Sequence, residues 1–97
     1  MATTLKSDNT PYTVNKSRSG GRGIVQAIVQ DSNNPVTLYG SLEGTDYSVI
    51  NTFTTSGMIE IALPNYLLIG KNSDATSQAT ATAVTGTTKV IFDETRG

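Results

Sequence analysis

Residues 36–63 read VTLYGSLEGTDYSVINTFTTSGMIEIAL. Val36, Leu38, Gly40 and Leu42 alternate with Thr37, Tyr39 and Ser41, the period of two that marks a strand with one buried face. Glu43-Gly44-Thr45-Asp46 then supplies turn chemistry, since glycine takes positive φ freely and Asp bonds its own backbone. A β-branched and aromatic run follows from Tyr47 to Phe53. Thr55-Ser56-Gly57 makes a second turn, and Ile59, Ile61 and Leu63 alternate with Met58, Glu60 and Ala62. The simplest arrangement of these three strands is a β-meander.

Upstream, residues 24–30 read IVQAIVQ. Ile24 and Ile28 sit four apart, as on a helix, but four residues of the seven are β-branched. A glycine precedes the run and Asp31-Ser32-Asn33-Asn34-Pro35 follows it, which favours a strand. Apolar residues on both of its faces predict a central strand. Residues 1–23 are rich in Thr, Ser, Asn and Gly, with only Leu5, Tyr12 and Val14 as apolar anchors. Tyr12 to Val14 fits one short strand, and Ser17 to Gly23 reads as a flexible hinge. The expectation is an extended basic N-terminal arm over residues 1–23, a sandwich domain over 24–93 and a short tail over 94–97.

Downstream, Pro64-Asn65 breaks the pattern and Tyr66 to Gly70 is a short apolar strand. Lys71 to Asp74 is a polar loop. Ala75, Ser77, Ala79, Ala81 and Ala83 then alternate with Thr76, Gln78, Thr80, Thr82 and Val84. Alanine favours helix by propensity, but interleaved threonines at strict period two predict a strand. Its small face would pack under a bulky sheet or form a flat contact for another subunit. Lys89 to Asp93 is the last strand, with Val90 and Phe92 on one side. Seven to eight closely spaced strands predict an all-β chain, an antiparallel β-sandwich of jelly-roll or other Greek-key order.

Composition narrows the chemistry. The 97 residues include neither Cys nor His, so disulfides, zinc sites and histidine-based acid–base catalysis are excluded. A chain of this size has a small core, which makes oligomerisation or docking on a larger body an expected source of stability. The net charge is −1. Lys6, Lys16, Arg18 and Arg22 precede the body against Asp8 alone, whereas seven carboxylates and three cations follow. Nucleic acid is therefore not an expected partner of the whole molecule. No apolar run reaches the length of a membrane span, and MATTLKSDNT lacks the apolar segment of a secretory signal. No membrane partner is expected.

Candidate sites are few. Ser19-Gly20-Gly21-Arg22-Gly23 is glycine-rich but has no Walker lysine and opens no helix, so it does not read as a phosphate loop. Glu43 and Asp46 share a turn and could meet a cation, although exposed turn acids are usually solvated. Asn15-Lys16-Ser17 matches a glycosylation sequon, which carries little weight without a secretory signal. No nucleophile has a neighbouring base, so no enzymatic activity, cofactor or metal is expected. Tyr39, Tyr47 and Tyr66 could stack on a sugar, but tyrosine is equally at home in sheet packing and interfaces. Strand alternation points Tyr39 away from Leu38, towards solvent or a partner. The residues expected to meet a partner are thus Lys6, Tyr12, Lys16, Arg18 and Arg22 of the arm, with Tyr39 as a further surface contact. A solvated tail is the plainer alternative for the arm.

Val36 to Tyr47 resembles the V-x-L-x-G-S-x-D-G-x-x-W strand–turn–strand of small β-sandwich virion proteins of tailed bacteriophages. Thr52 to Gly57, Pro64 to Ile69 and the Thr/Ala stretch with Gly86 continue that likeness over residues 24–92. Glu43 stands where Asp is common, Tyr47 where Trp is common, and Leu68 near where an Arg often sits. The resemblance implies a capsid decoration (cement) protein on the outer surface of the virion, assembled in the host cytoplasm. Its partners would be the major capsid protein and further copies of itself in a dimer or trimer. A tail, fibre or neck component is the alternative on the same fold. A carbohydrate-binding module using the tyrosines is a third reading.

Overall fold

The computed structural model describes residues 2–6, 10–14, 21–29, 35–71, 75, 77, 80–84 and 88–93. Its strands are β1 (Ala2–Thr4), β2 (Tyr12–Thr13), β3 (Arg22–Ile28), β4 (Val36–Ser41), β5 (Ser48–Phe53), β6 (Gly57–Ala62), β7 (Tyr66–Gly70) and β8 (Lys89–Asp93). They form two four-stranded sheets, in the orders β1-β8-β3-β6 and β2-β7-β4-β5, with every pair antiparallel. No α-helix occurs among the described residues. The all-β, sandwich-like architecture read from alternation is the one observed.

The two sheets close on a shared core, as inward-facing residues of alternating strands must. Val25, Ala27, Ile61, Val90 and Phe92 meet Val36, Leu38, Phe53, Leu67 and Ile69. Each of these side chains larger than alanine contributes about 1.5–3 kcal/mol on full burial. As expected, β3 is a central strand, held between β8 and β6.

The predicted meander is corrected. β4 pairs with β5, with a bulge between Leu38 and Tyr39, but β6 leaves for the other sheet and pairs with β3. Alternation dictates which face of a strand is buried and is silent on its neighbour. Ile59 and Ile61 lie opposite Val25 and Gly23 on β3, where they face the common core. The crossing is secured at Ser56, whose Oγ accepts from the Val29 N–H at 2.9 Å and lies 3.4 Å from the Val29 carbonyl.

The first 23 residues do not stand apart from the body where they are described. β1 pairs with β8 and β2 with β7, so each is an edge strand of one sheet. Beyond β1, the Leu5 N–H donates to the Val90 carbonyl at 2.9 Å, and the Val14 N–H to that of Asn65 at 2.9 Å. Leu5 and Val14 are both in the core. Two isolated apolar anchors in a polar segment are enough to draw it in, because each completes an edge hydrogen-bond ladder while burying its side chain. Most of the hinge expected over 17–23 and the tail over 94–97 lie outside the described residues; Arg22 and Gly23 belong to β3.

The Thr/Ala strand is also corrected. Residues 75, 77 and 80–84 contain no strand. Ser77 and Thr80 close a tight turn instead: the Thr80 and Ala81 N–H groups reach the Ser77 carbonyl at 3.2 Å, and the Ser77 N–H donates to Thr80 Oγ1 at 3.0 Å. Hydroxyls that bond nearby backbone compete with sheet ladders, and a period of two cannot reveal that competition. Of the two uses foreseen for the small face, packing under a bulky sheet is the one seen. Ala75 and Ala81 cluster with Tyr39, Tyr47 and Leu68, and Tyr66 packs against them. This segment covers the outer face of the β2-β7-β4-β5 sheet as a third layer.

Candidate functional site

Of the five arm residues, the three described ones lie on or beside three different strands. Lys6 follows β1 and is exposed. Tyr12, on β2, sets its ring edge-on to Phe92 with centroids 5.7 Å apart and planes at 65°, so it contributes to internal packing. Arg22, on β3, is engaged in a two-pronged ion pair: Nε and Nη2 donate to the Glu60 carboxylate at 3.1 and 2.9 Å. That contact holds the Glu60 carboxyl below its usual range and raises the Arg22 guanidinium, chiefly through the hydrogen bonds and then through the opposite charge. Both side chains are half exposed, so the pair adds little to stability. Lys16 and Arg18 lie outside the described residues.

Tyr39 requires a correction. Its side chain does leave the face that Leu38 occupies, as alternation requires, yet it is fully buried. The reason is the third layer: Ala75 and Ala81 lie over it, and its hydroxyl accepts from the Ala75 N–H at 3.4 Å. It is not a surface contact of the chain. Tyr47 is buried in the same cluster, and its hydroxyl makes no hydrogen bond among the described residues. Burial pushes the Tyr47 phenol above its ordinary pKa, with nearby Tyr66 adding to the effect.

An open cleft of about 400 Å³ has a lining that includes Ser41, Leu42, Glu43, Asp46, Val49 and Pro64. The turn after β4 builds one wall. Ser41 Oγ accepts from the Gly44 N–H at 2.8 Å, and Gly44 has φ of 89°, a conformation that L-residues avoid. Gly40 has no room for a side chain, because a Cβ there would lie 2.8 Å from both Ile50 Cδ1 and Pro64 Cγ. The turn is fastened from β7's approach by Asn65, whose Nδ2 donates to the Leu42 carbonyl at 2.7 Å. In sequence, Glu43 and Asp46 are two acids of one turn that could meet a cation; in the fold they act on each other. A hydrogen bond with Asp46, then the charge of Asp46, raises the Glu43 pKa.

Chemically, the cleft offers two adjacent carboxyl groups beside exposed Leu42 and Val49. Among the described residues no three His, Cys, Asp or Glu side chains converge to hold a metal ion. The glycine and turn residues of Val36–Leu63 thus fix backbone geometry, and the alternation of that stretch places its large residues in two separate clusters. No family model, no curated protein and no solved structure matches this chain.

Proposed function

We propose that this protein is a jelly-roll virion component, a capsid decoration protein that binds the outer surface of the major capsid shell and strengthens it. The observation that carries this reading is the strand order. Two antiparallel sheets of four strands, in the orders β1-β8-β3-β6 and β2-β7-β4-β5, support a jelly-roll reading, the eight-stranded two-sheet architecture of viral capsid and lectin domains. The likeness of residues 24–92 to small phage sandwich proteins favours the virion branch. So does the position of the tyrosines: Tyr39 and Tyr47 are buried and Tyr66 packs against them, which leaves no aromatic platform of these residues for a sugar.

The action on the shell is mechanical. A body docked across a junction between shell subunits adds contact area where internal pressure separates them, and several linked copies raise the effective affinity. Because the described parts of residues 2–14 are bound into the sheets, the docking contacts come from the sandwich surface and its exposed turns. Co-sedimentation with purified expanded capsids and a copy number per virion test the proposal. Binding to the expanded shell, at a stoichiometry comparable to the shell protein, is expected. A few copies per virion would move the protein to the tail or neck, and failure to bind any capsid form would refute the reading.

A further inference from the structure

The outer faces of the two sheets are treated differently. On the β2-β7-β4-β5 sheet, the outward residues Tyr39 and Leu68 are roofed by Ala75 and Ala81 of the same chain. On the β1-β8-β3-β6 sheet, alternation sends Ile24 and Ile28 of β3, Ile91 of β8 and Met58 of β6 outward. Among the described residues nothing comparable covers them: Met58 is 62% exposed, and Ile24, Gln26, Met58, Ile91 and Asp93 line an open depression of about 260 Å³. Half-buried Ile24, Ile28 and Ile91 with exposed Met58 make an apolar patch that is unpartnered among the described residues.

The strand register arranges this face in rows. The middle row is Thr4, Ile91, Gln26 and Met58. Asp93, Ile24 and Glu60 lie on one side of it, and Lys89 and Ile28 on the other. On β8, therefore, opposite charges flank Ile91 at equal distances. We propose that this face is an isologous interface between two copies of the chain, related by a two-fold axis that runs parallel to the middle row, above the outer face and midway between the two facing sheets.

That axis is selected by the residues themselves. It sets Ile91 and Met58 against their own counterparts, Ile24 against the partner's Ile28, and Lys89 against the partner's Asp93, with each heterologous contact made twice. A shift of two residues along the strands would bring the β8 charges onto apolar side chains, which disfavours other registers. Arg22 and Glu60 already neutralise each other within the chain, so the interface buries no unbalanced charge from them. A foreign surface would have no reason to match a pattern that is complementary to itself.

The size of the patch sets the strength. Strands of three, five, seven and six residues, about 4.8 Å apart at ~3.3 Å per residue, cover roughly 330 Å² per copy, or about 670 Å² for the pair, below the ~1,000 Å² of stable specific interfaces. The dimer is accordingly a weak one whose population follows concentration.

Sedimentation equilibrium of the full chain, from micromolar to millimolar, tests this. A monomer–dimer equilibrium is expected, and Met58→Glu, at an exposed edge-strand position, should weaken it by about tenfold or more with an unchanged circular dichroism spectrum. Lys89→Asp and Asp93→Lys should each weaken the dimer, and the double exchange in one chain should restore it, because both reciprocal pairs re-form with reversed sign. A chain that stays monomeric throughout, a dimer indifferent to Met58→Glu, or a double exchange no tighter than the single variants would each overturn the proposal. So would loss of capsid binding in Met58→Glu from a chain that is always monomeric, since the face would then belong to the shell.

Discussion

The hydroxyl oxygen of Tyr39 accepts a hydrogen bond from the backbone N–H of Ala75 at 3.4 Å, across 36 residues of chain. It fastens the third layer to the middle of β4. The layer is held mainly by shape, because at that length the bond is weak whereas the Tyr39 ring is completely enclosed.

Truncation of Tyr39 should therefore separate the two contributions. Tyr39→Phe should lower stability by about 0.5–1 kcal/mol, the range for one modest hydrogen bond. Tyr39→Ala should cost about 3–5 kcal/mol through the cavity it leaves. Ala81→Leu, which overfills the same contact, should cost about 1–3 kcal/mol. Urea unfolding followed by circular dichroism measures all three.

Removal of residues 1–14 should weaken the body. The deletion takes away β1, β2 and the buried side chains of Leu5 and Val14. At about 1.5–3 kcal/mol each, those two side chains alone account for ~3–6 kcal/mol, a large fraction of the stability of a small domain. A fall in the urea midpoint is expected; an unchanged midpoint would mean that the segment is a dispensable arm.

What was legible in the sequence follows from the range of the physics involved. Pattern at Val36–Leu42, Ile24–Gln30 and Lys89–Asp93 is local: alternation gives β4 and sets Val90 and Phe92 on one side of β8, and apolar residues on both faces give the central position of β3. Which strand neighbours which depends on distant chain, so β6 was expected beside β5 and is beside β3. The three residues of β1 had no pattern to announce them; Leu5 was the sole signal. Tyr39 was expected outside because alternation can separate two faces but cannot tell whether a third layer covers one. The Ala75–Ala83 rhythm carried that information in its small side chains, although not in the form of a strand. At the cleft, Glu43 and Asp46 are legible as acids of one turn, and the coupling that raises the Glu43 pKa is not, because it depends on the path that Gly44 allows.

Tyr47→Phe should be neutral or stabilising. The Tyr47 hydroxyl is buried without a hydrogen bond among the described residues, and an unsatisfied buried polar group carries a desolvation penalty of about 1–3 kcal/mol. A gain of roughly 1 kcal/mol on removing it, read from thermal and urea unfolding, is expected. In the unmodified protein, ultraviolet titration should find this phenol ionising above free tyrosine, in keeping with its burial.

The Glu43–Asp46 contact makes the turn sensitive to pH. The hydrogen bond from a protonated Glu43 to Asp46, followed by the negative charge of Asp46, raises the folded-state pKa of Glu43. The folded chain thus holds this proton more tightly than the unfolded chain does. Its contribution to stability is fully present below the ordinary glutamate value, about 4.3, and is lost as pH rises through the raised folded value. Above that range two carboxylates face each other across one turn. Glu43→Gln keeps a donor for Asp46 and cannot ionise, so its melting temperature relative to the parent should rise as pH increases from 3 towards neutrality, by roughly the size of an exposed charge interaction. Glu60 works in the opposite direction: its pKa is lowered by Arg22, and its contribution is lost as pH falls through that lowered value. Only a comparison of Glu43→Gln with the parent, pH by pH, isolates the turn. A difference that stays flat from pH 3 to neutrality would show that the two carboxyl groups do not share a proton in the folded chain.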